Sequence, residues 1–248
     1  MESNIMKSIM YHYVRPDDQS LPYFRHLHID DFIKQLEYLE NEYGFLSKDD
    51  FLNCMESKEP VDGVVLTFDD GFKDHFHYVL PELKKLGLWG IFYIPTSPFT
   101  TRKLIDVHRI HMLIGKFSGQ TIANALKNII KEGMLSHNHV EEFQSETYSR
   151  QNNDNSTNYV KRCLNYFIDY KYRESVIDHL MSRFFPDESC MIDDFYMTKS
   201  EIREMNDQGM MIGSHTVNHP VMSKISLKYQ ESEIKKSRGF NSLVQRMG

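Results

Sequence analysis

Two adjacent carboxylates, Asp69 and Asp70, follow the apolar run Val64-Val65-Leu66-Thr67-Phe68, and two imidazoles, His215 and His219, follow Met210-Met211-Ile212-Gly213-Ser214. One carboxylate and two imidazoles can hold a divalent metal on one face and leave positions open for water and substrate. The other carboxylate is then free to move protons. That division of labour is the chemistry of a metal-assisted hydrolase. Neither pair is telling alone, since Asp-Asp-Gly is ordinary turn chemistry and a histidine pair at this spacing is common on surfaces. Their conjunction after two apolar runs points to a site. If the chain turns helical beyond Ser214, both rings project from one face toward one ion.

Strands must carry both motifs to one place. Ser8 to Val14 reads as a short buried strand, Gly63 to Phe68 as a strand covered on both faces, Trp89 to Pro95 as a third and Met210 to Ser214 as a fourth. Helices are expected from Asp31 to about Glu42 behind an Asp30 cap, from Val79 to Leu86, and from a Thr198 or Ser200 cap to Gly209. A last helix is expected from about Leu227 to Lys236. Between about 102 and 195 the pattern is helical: Leu104 to Phe117, Ile122 to Lys131, a segment around Val140 to Tyr148, Tyr159 to Tyr170 and Glu174 to Phe184. Strand signals resume beyond this block, so it reads as a helical insertion within one domain over 1–248. The alternation predicts an α/β fold with parallel strands, in which loops at the C-terminal strand ends build the site. Both motifs stand at such ends.

Composition narrows the partners. A net charge of -6 with no basic, aromatic-laced stripe argues against nucleic acid. No stretch is apolar enough for a secretion signal or a membrane span, which predicts a cytoplasmic protein. Cys54, Cys163 and Cys190 form no close pair and read as free thiols.

Thr67-Phe68-Asp69-Asp70-Gly71 and His215-Thr216-Val217-Asn218-His219-Pro220 resemble the two leading signatures of the polysaccharide deacetylase family, also called the NodB-homology or carbohydrate esterase family. Tyr11-His12-Tyr13-Val14 resembles the first strand of its bacterial branch acting on surface and biofilm polysaccharides. The likeness covers about residues 7–99 and 196–238 and leaves the insertion unaccounted for. It implies a distorted (β/α) barrel and one divalent metal, zinc first, with cobalt, iron, nickel and manganese also compatible with such ligands. It implies Asp70, His215 and His219 as ligands and Asp69 as general base. The activity implied is removal of an N-acetyl group from a sugar or glycan precursor in surface polysaccharide synthesis.

Three further family signatures normally follow the histidine motif and supply a base-positioning Arg and an acidic His; Ser237 to Gly248 matches none of them. The resemblance therefore predicts an incomplete barrel lacking its C-terminal strands, which gives a reason to form a homo-oligomer. It also leaves the general acid unassigned. His12, on the first strand, is a candidate pocket residue, with a satisfied core histidine as the equal alternative. His108 and His111 read as a surface pair on the first insertion helix, with a substitute acid as the alternative. His26 and His28 read as solvated. Phe72, Phe76, Trp89 and Tyr93 read mainly as core, with sugar stacking the alternative. Two other functions share this fold: a catalytically incomplete carbohydrate-binding or assembly protein, and a hydrolase of a non-sugar amide.

Overall fold

The computed structural model describes residues 5–135, 148 and 151–246. Four parallel strands form one sheet: β1 (Met6–Tyr11), β4 (Gly63–Asp69), β5 (Gly90–Ile94) and β6 (Met211–Ser214), in the order β1-β4-β5-β6. β2 (Val14–Arg15) and β3 (Leu27–His28) make a small parallel pair beside it. Among the described residues the sheet is open and not closed into a barrel. Every residue of β4 is buried, as its continuous apolar run requires of a strand covered on both faces.

The first covering helix, α1 (Ile29–Tyr43), is capped by the His28 side chain, which accepts from the Asp30 amide; Asp30 itself lies inside the first turn. α2 (Lys48–Ser57) has no buried residue, so no apolar face announced it. A π-helical turn (His75–Val79) runs into α3 (Leu80–Lys85), whose Pro81 sits in the first turn. The sheet packs Phe68 flat on Phe92, ring centroids 4.6 Å apart, and buries them with Phe32 and Leu36 of α1 and Leu83 of α3.

The block between β5 and β6 holds α4 (Pro98–Thr101), α5 (Asp106–Phe117), α6 (Gly119–Ile129), α7 (Asn155–Arg162), α8 (Tyr170–Phe184) and α9 (Ile192–Phe195). The helix expected around Val140 to Tyr148 falls outside the described residues except for Tyr148, which stands in a turn. These helices bury their own core around Leu113, Ile122, Leu126 and Leu180. Phe24 and Phe72 from the sheet side belong to that same core.

Thr198 caps α10 (Lys199–Asp207) in a reciprocal box with Glu201, and α11 (Leu227–Arg246) closes the described chain. Cys54, Cys163 and Cys190 are unpaired. Among the described residues no helix is long and apolar enough to cross a membrane.

Candidate active site

Register alone brings the chemistry together. Tyr11 pairs with Phe68, Asp69 with Tyr93, and Ile94 with Ser214. His12, Asp69, Asp70 and His215 therefore stand at the C-terminal ends of neighbouring parallel strands, where such sheets place their sites. Asp70 has a left-handed backbone, φ 77°, and Gly71 follows at φ 65°. Aspartate tolerates this region better than most residues, at a cost of about 1–2 kcal/mol. The sharp turn lets consecutive carboxylates approach one imidazole: His215 Nε2 lies 4.0 Å from Asp69 Oδ2 and 3.4 Å from Asp70 Oδ1.

The histidine segment is not helical. Thr216 (φ 64°) and His219 (φ 51°) both turn left-handed, and the resulting loop brings the two rings to 4.6 Å between centroids. Three sets of bonds hold it. The His215 amide donates to the Ile94 carbonyl at 3.1 Å, and the Thr96 and Ser97 amides donate to the Thr216 and Val217 carbonyls at 3.2 and 2.9 Å. The His219 amide donates to Thr216 Oγ1 at 3.0 Å. From α11, the buried Glu233 carboxylate accepts from the Val217 and Asn218 amides at 2.9 and 2.7 Å and from Asn218 Nδ2 at 2.7 Å.

Asp70, His215 and His219 each present one ligand atom, all within 4.8 Å of one another. Asp70 Oδ1 and His215 Nε2 are buried without a hydrogen-bond partner. Buried polar atoms are rarely left so. A divalent cation at their shared focus would satisfy both, so the residues present fit one. Asp70 stays ionised: burial acts to raise its carboxyl pKa, and the imidazoles of His108, His215 and His219 more than offset this and hold it well below the usual range. His219 is pushed down to about 4, chiefly by burial, which keeps it in the neutral form a ligand needs. Asp69 is different. Burial raises its pKa despite the nearby His215 and His12.

Two more imidazoles face Asp70. His12 keeps 42% of its side chain exposed and sets Nε2 3.7 Å from Asp70 Oδ2. His75 donates from Nε2 to the His12 carbonyl at 2.7 Å and so fixes that strand end from below. His108 and His111 are not the expected surface pair: His108 is 1% exposed, with Nε2 3.0 Å from Asp70 Oδ2, and His111 Nδ1 meets the Tyr13 hydroxyl at 3.0 Å. Burial lowers both of their pKa values. His26 is not solvated either; its ring is largely covered and lies 3.2 Å from Asp17. Two clefts, of about 710 and 900 Å³, share His12, Tyr13, Phe24 and Arg25 as a common wall. Phe72 is buried against Tyr13 and His108 and is no stacking platform; Trp89 packs on Phe51 and donates to the Leu46 carbonyl. Tyr93 stays partly exposed beside His215.

All five residues singled out in the sequence, His12, Asp69, Asp70, His215 and His219, converge here. His108, its partner Tyr196 and Glu233 were not assigned to the site beforehand. Glu233 reads as one charge among many on a polar helix, and Tyr196 as a core aromatic.

A family model described as polysaccharide deacetylase matches residues 153–242, which include the histidine loop and most of α11. No curated protein sequence matches the chain. Among solved structures, the Streptococcus pyogenes deacetylase PplD in complex with acetate is similar, at 17% identity and a TM-score of 0.50, over 97% of this chain and 69% of that one. IcaB from Ammonifex degensii is similar at 15% identity and a TM-score of 0.48, over 96% of this chain and 67% of that one. A polysaccharide deacetylase from Bacillus cereus is similar at 16% identity and a TM-score of 0.49, over 96% of this chain and 47% of that one. At such identities the PplD likeness speaks for the fold alone. The family match falls on the histidine loop that this fold places over Asp69 and Asp70, so over residues 153–242 the chain is similar to the polysaccharide deacetylase family.

Proposed function

We propose that this chain is a metal-dependent hydrolase that removes an N-acetyl group from a sugar or glycan precursor of a surface polysaccharide. The observation that carries the reading is the pair of buried, unpartnered ligand atoms, Asp70 Oδ1 and His215 Nε2, beside a carboxylate outside the ligand trio. Asp70, His215 and His219 would hold the cation, zinc first, which when bound polarises the amide carbonyl and acidifies water. The chain's own residues account for the protons. Asp69, made more basic by burial, accepts the proton of the water that attacks the carbonyl carbon. An amide also needs a proton on its nitrogen as the C–N bond breaks. His12 is the imidazole that reaches both the Asp70 carboxylate and the open clefts, so it is the donor; His108 is sealed from solvent. Water, amide and two proton transfers then give acetate and a free amine. The resemblance of Tyr11-His12-Tyr13-Val14 to the surface-polysaccharide branch supports the substrate class.

Bound metal per chain, measured on purified protein, is expected near one in the parent and near zero in Asp70→Ala and His215→Ala. A parent that retains none in excess zinc or cobalt would overturn the reading. With N-acetylated oligosaccharides, His12→Gln is expected to lower acetate release about 10²-fold or more at unchanged metal content. An unchanged rate would remove His12 as the donor.

A further inference from the structure

We propose that the helical insertion supplies the positioning group for the metal ligand Asp70: His108, held in a single tautomer by Tyr196. The inference rests on the metal reading of the trio and concerns His108, which stands in the helical block outside the family motifs. The Ile105 amide donates to Tyr196 Oη at 3.1 Å, so the hydroxyl is already accepting. Its one hydrogen is directed to His108 Nδ1, 2.6 Å away, and among the described residues it has no other acceptor. A neutral imidazole that accepts at Nδ1 carries its hydrogen at Nε2. That hydrogen is aimed at Asp70 Oδ2, 3.0 Å away. One carboxylate oxygen is thereby anchored, and the other, Oδ1, is left facing His215 and His219.

Packing keeps the ring from turning away. Phe72, Phe195 and Tyr196 surround it at centroid distances of 4.7, 5.4 and 5.5 Å. His108 and Tyr196 are 1% and 2% exposed, so the links between them are shielded from solvent. His108 stands on α5 near the start of the insertion and Tyr196 just beyond its end, after α9, and the two meet behind the ligand. The insertion is thus part of the site's construction. Outer partners of this kind orient a ligand and govern metal affinity by about 10–100-fold.

The test has two readouts, neither of them turnover. Competition with a chromophoric chelator gives cobalt and zinc affinity for the parent, His108→Ala, His108→Gln and Tyr196→Phe. Long-range ¹⁵N–¹H spectra of the metal-free parent give the His108 tautomer. His108→Ala is expected to bind about 10–100-fold more weakly, and Tyr196→Phe several-fold more weakly. His108→Gln, whose amide N–H can still reach Asp70, is expected to recover most of the loss, and the parent ring is expected as the Nε2–H form. A folded His108→Ala with parent affinity, or an Nδ1–H ring in the parent, would overturn the proposal. If His108→Ala does not fold, parent affinity in Tyr196→Phe overturns it instead. A parent that binds neither ion removes the metal reading itself; the hydrogen-bond relay is then decided by the tautomer alone.

Discussion

In Asp69→Asn, acetate release falls about 10²–10⁴-fold while bound metal stays at the parent level. Asn is close to Asp in shape, so the end of β4 keeps its geometry, but its amide cannot accept a proton from water. Asp69 is not one of the three groups whose ligand atoms converge, and its Oδ2 lies 4.0 Å from His215 Nε2. Its pKa is raised because burial penalises the charged form more than His215 and His12 favour it. A base with a raised pKa takes a proton more readily once ionised. The companion variant separates the two aspartates. Asp70→Asn keeps the shape but lacks the charge that the cation needs, so it loses metal and activity together. Metal content and acetate release measured on both proteins check this. Equal activity in Asp69→Asn and the parent would leave the pair of carboxylates without the proposed division of labour. No acetate release from the metal-loaded parent would favour the carbohydrate-binding alternative.

What the sequence showed of this site follows from what local pattern can carry. Val64 to Phe68 is apolar without a break because both faces of β4 are covered, and the Asp pair after it could only sit at a strand's C-terminal end. The same logic placed His215 after β6. The helical guess beyond Ser214 failed for a local reason. Thr216 and His219 adopt left-handed φ values that neither residue type announces, and only the bonds from Glu233 and the β5 loop make them affordable. In the sequence His108 reads as a surface histidine, with a pocket role as the alternative, and its link to Asp70 was out of reach for a tertiary reason. It stands 38 residues from Asp70, and Tyr196 a further 88 from it, so no spacing rule links the three. Its place on the first insertion helix offered a surface pair or a substitute acid, and nothing local pointed to an anchor for Asp70. His12 lay on a legible strand, but its 3.7 Å approach to Asp70 Oδ2 depends on the turn after β4 and was not legible.

Glu233→Ala is expected to cost stability and metal affinity at once. Its carboxylate is 2% exposed and accepts three N–H groups of the histidine loop, two from backbone and one from Asn218. Truncation leaves those donors without their acceptor; Val217 is half-buried and Asn218 exposed, so water replaces part of the loss, and the net cost is about 1–2 kcal/mol. The loop also holds two left-handed, non-glycine residues, Thr216 and His219, which relax once the clamp is gone. A loss of about 2 kcal/mol corresponds to a melting temperature lower by about 4–8 °C in a chain of this size. Because one of the relaxing residues is itself the ligand His219, metal binding is expected to weaken by about tenfold or more. Glu233→Gln gives the milder form: its carbonyl oxygen can still accept the two backbone N–H groups, and Asn218 must turn its amide to face the new NH₂. Melting curves with and without zinc, beside a chelator competition titration, measure both effects. A lowered melting point with parent metal affinity would mean that α11 stabilises the loop without aiming its histidines. Loss of affinity in step with the relaxed loop would mean that the last described helix, like the insertion, is built into the site.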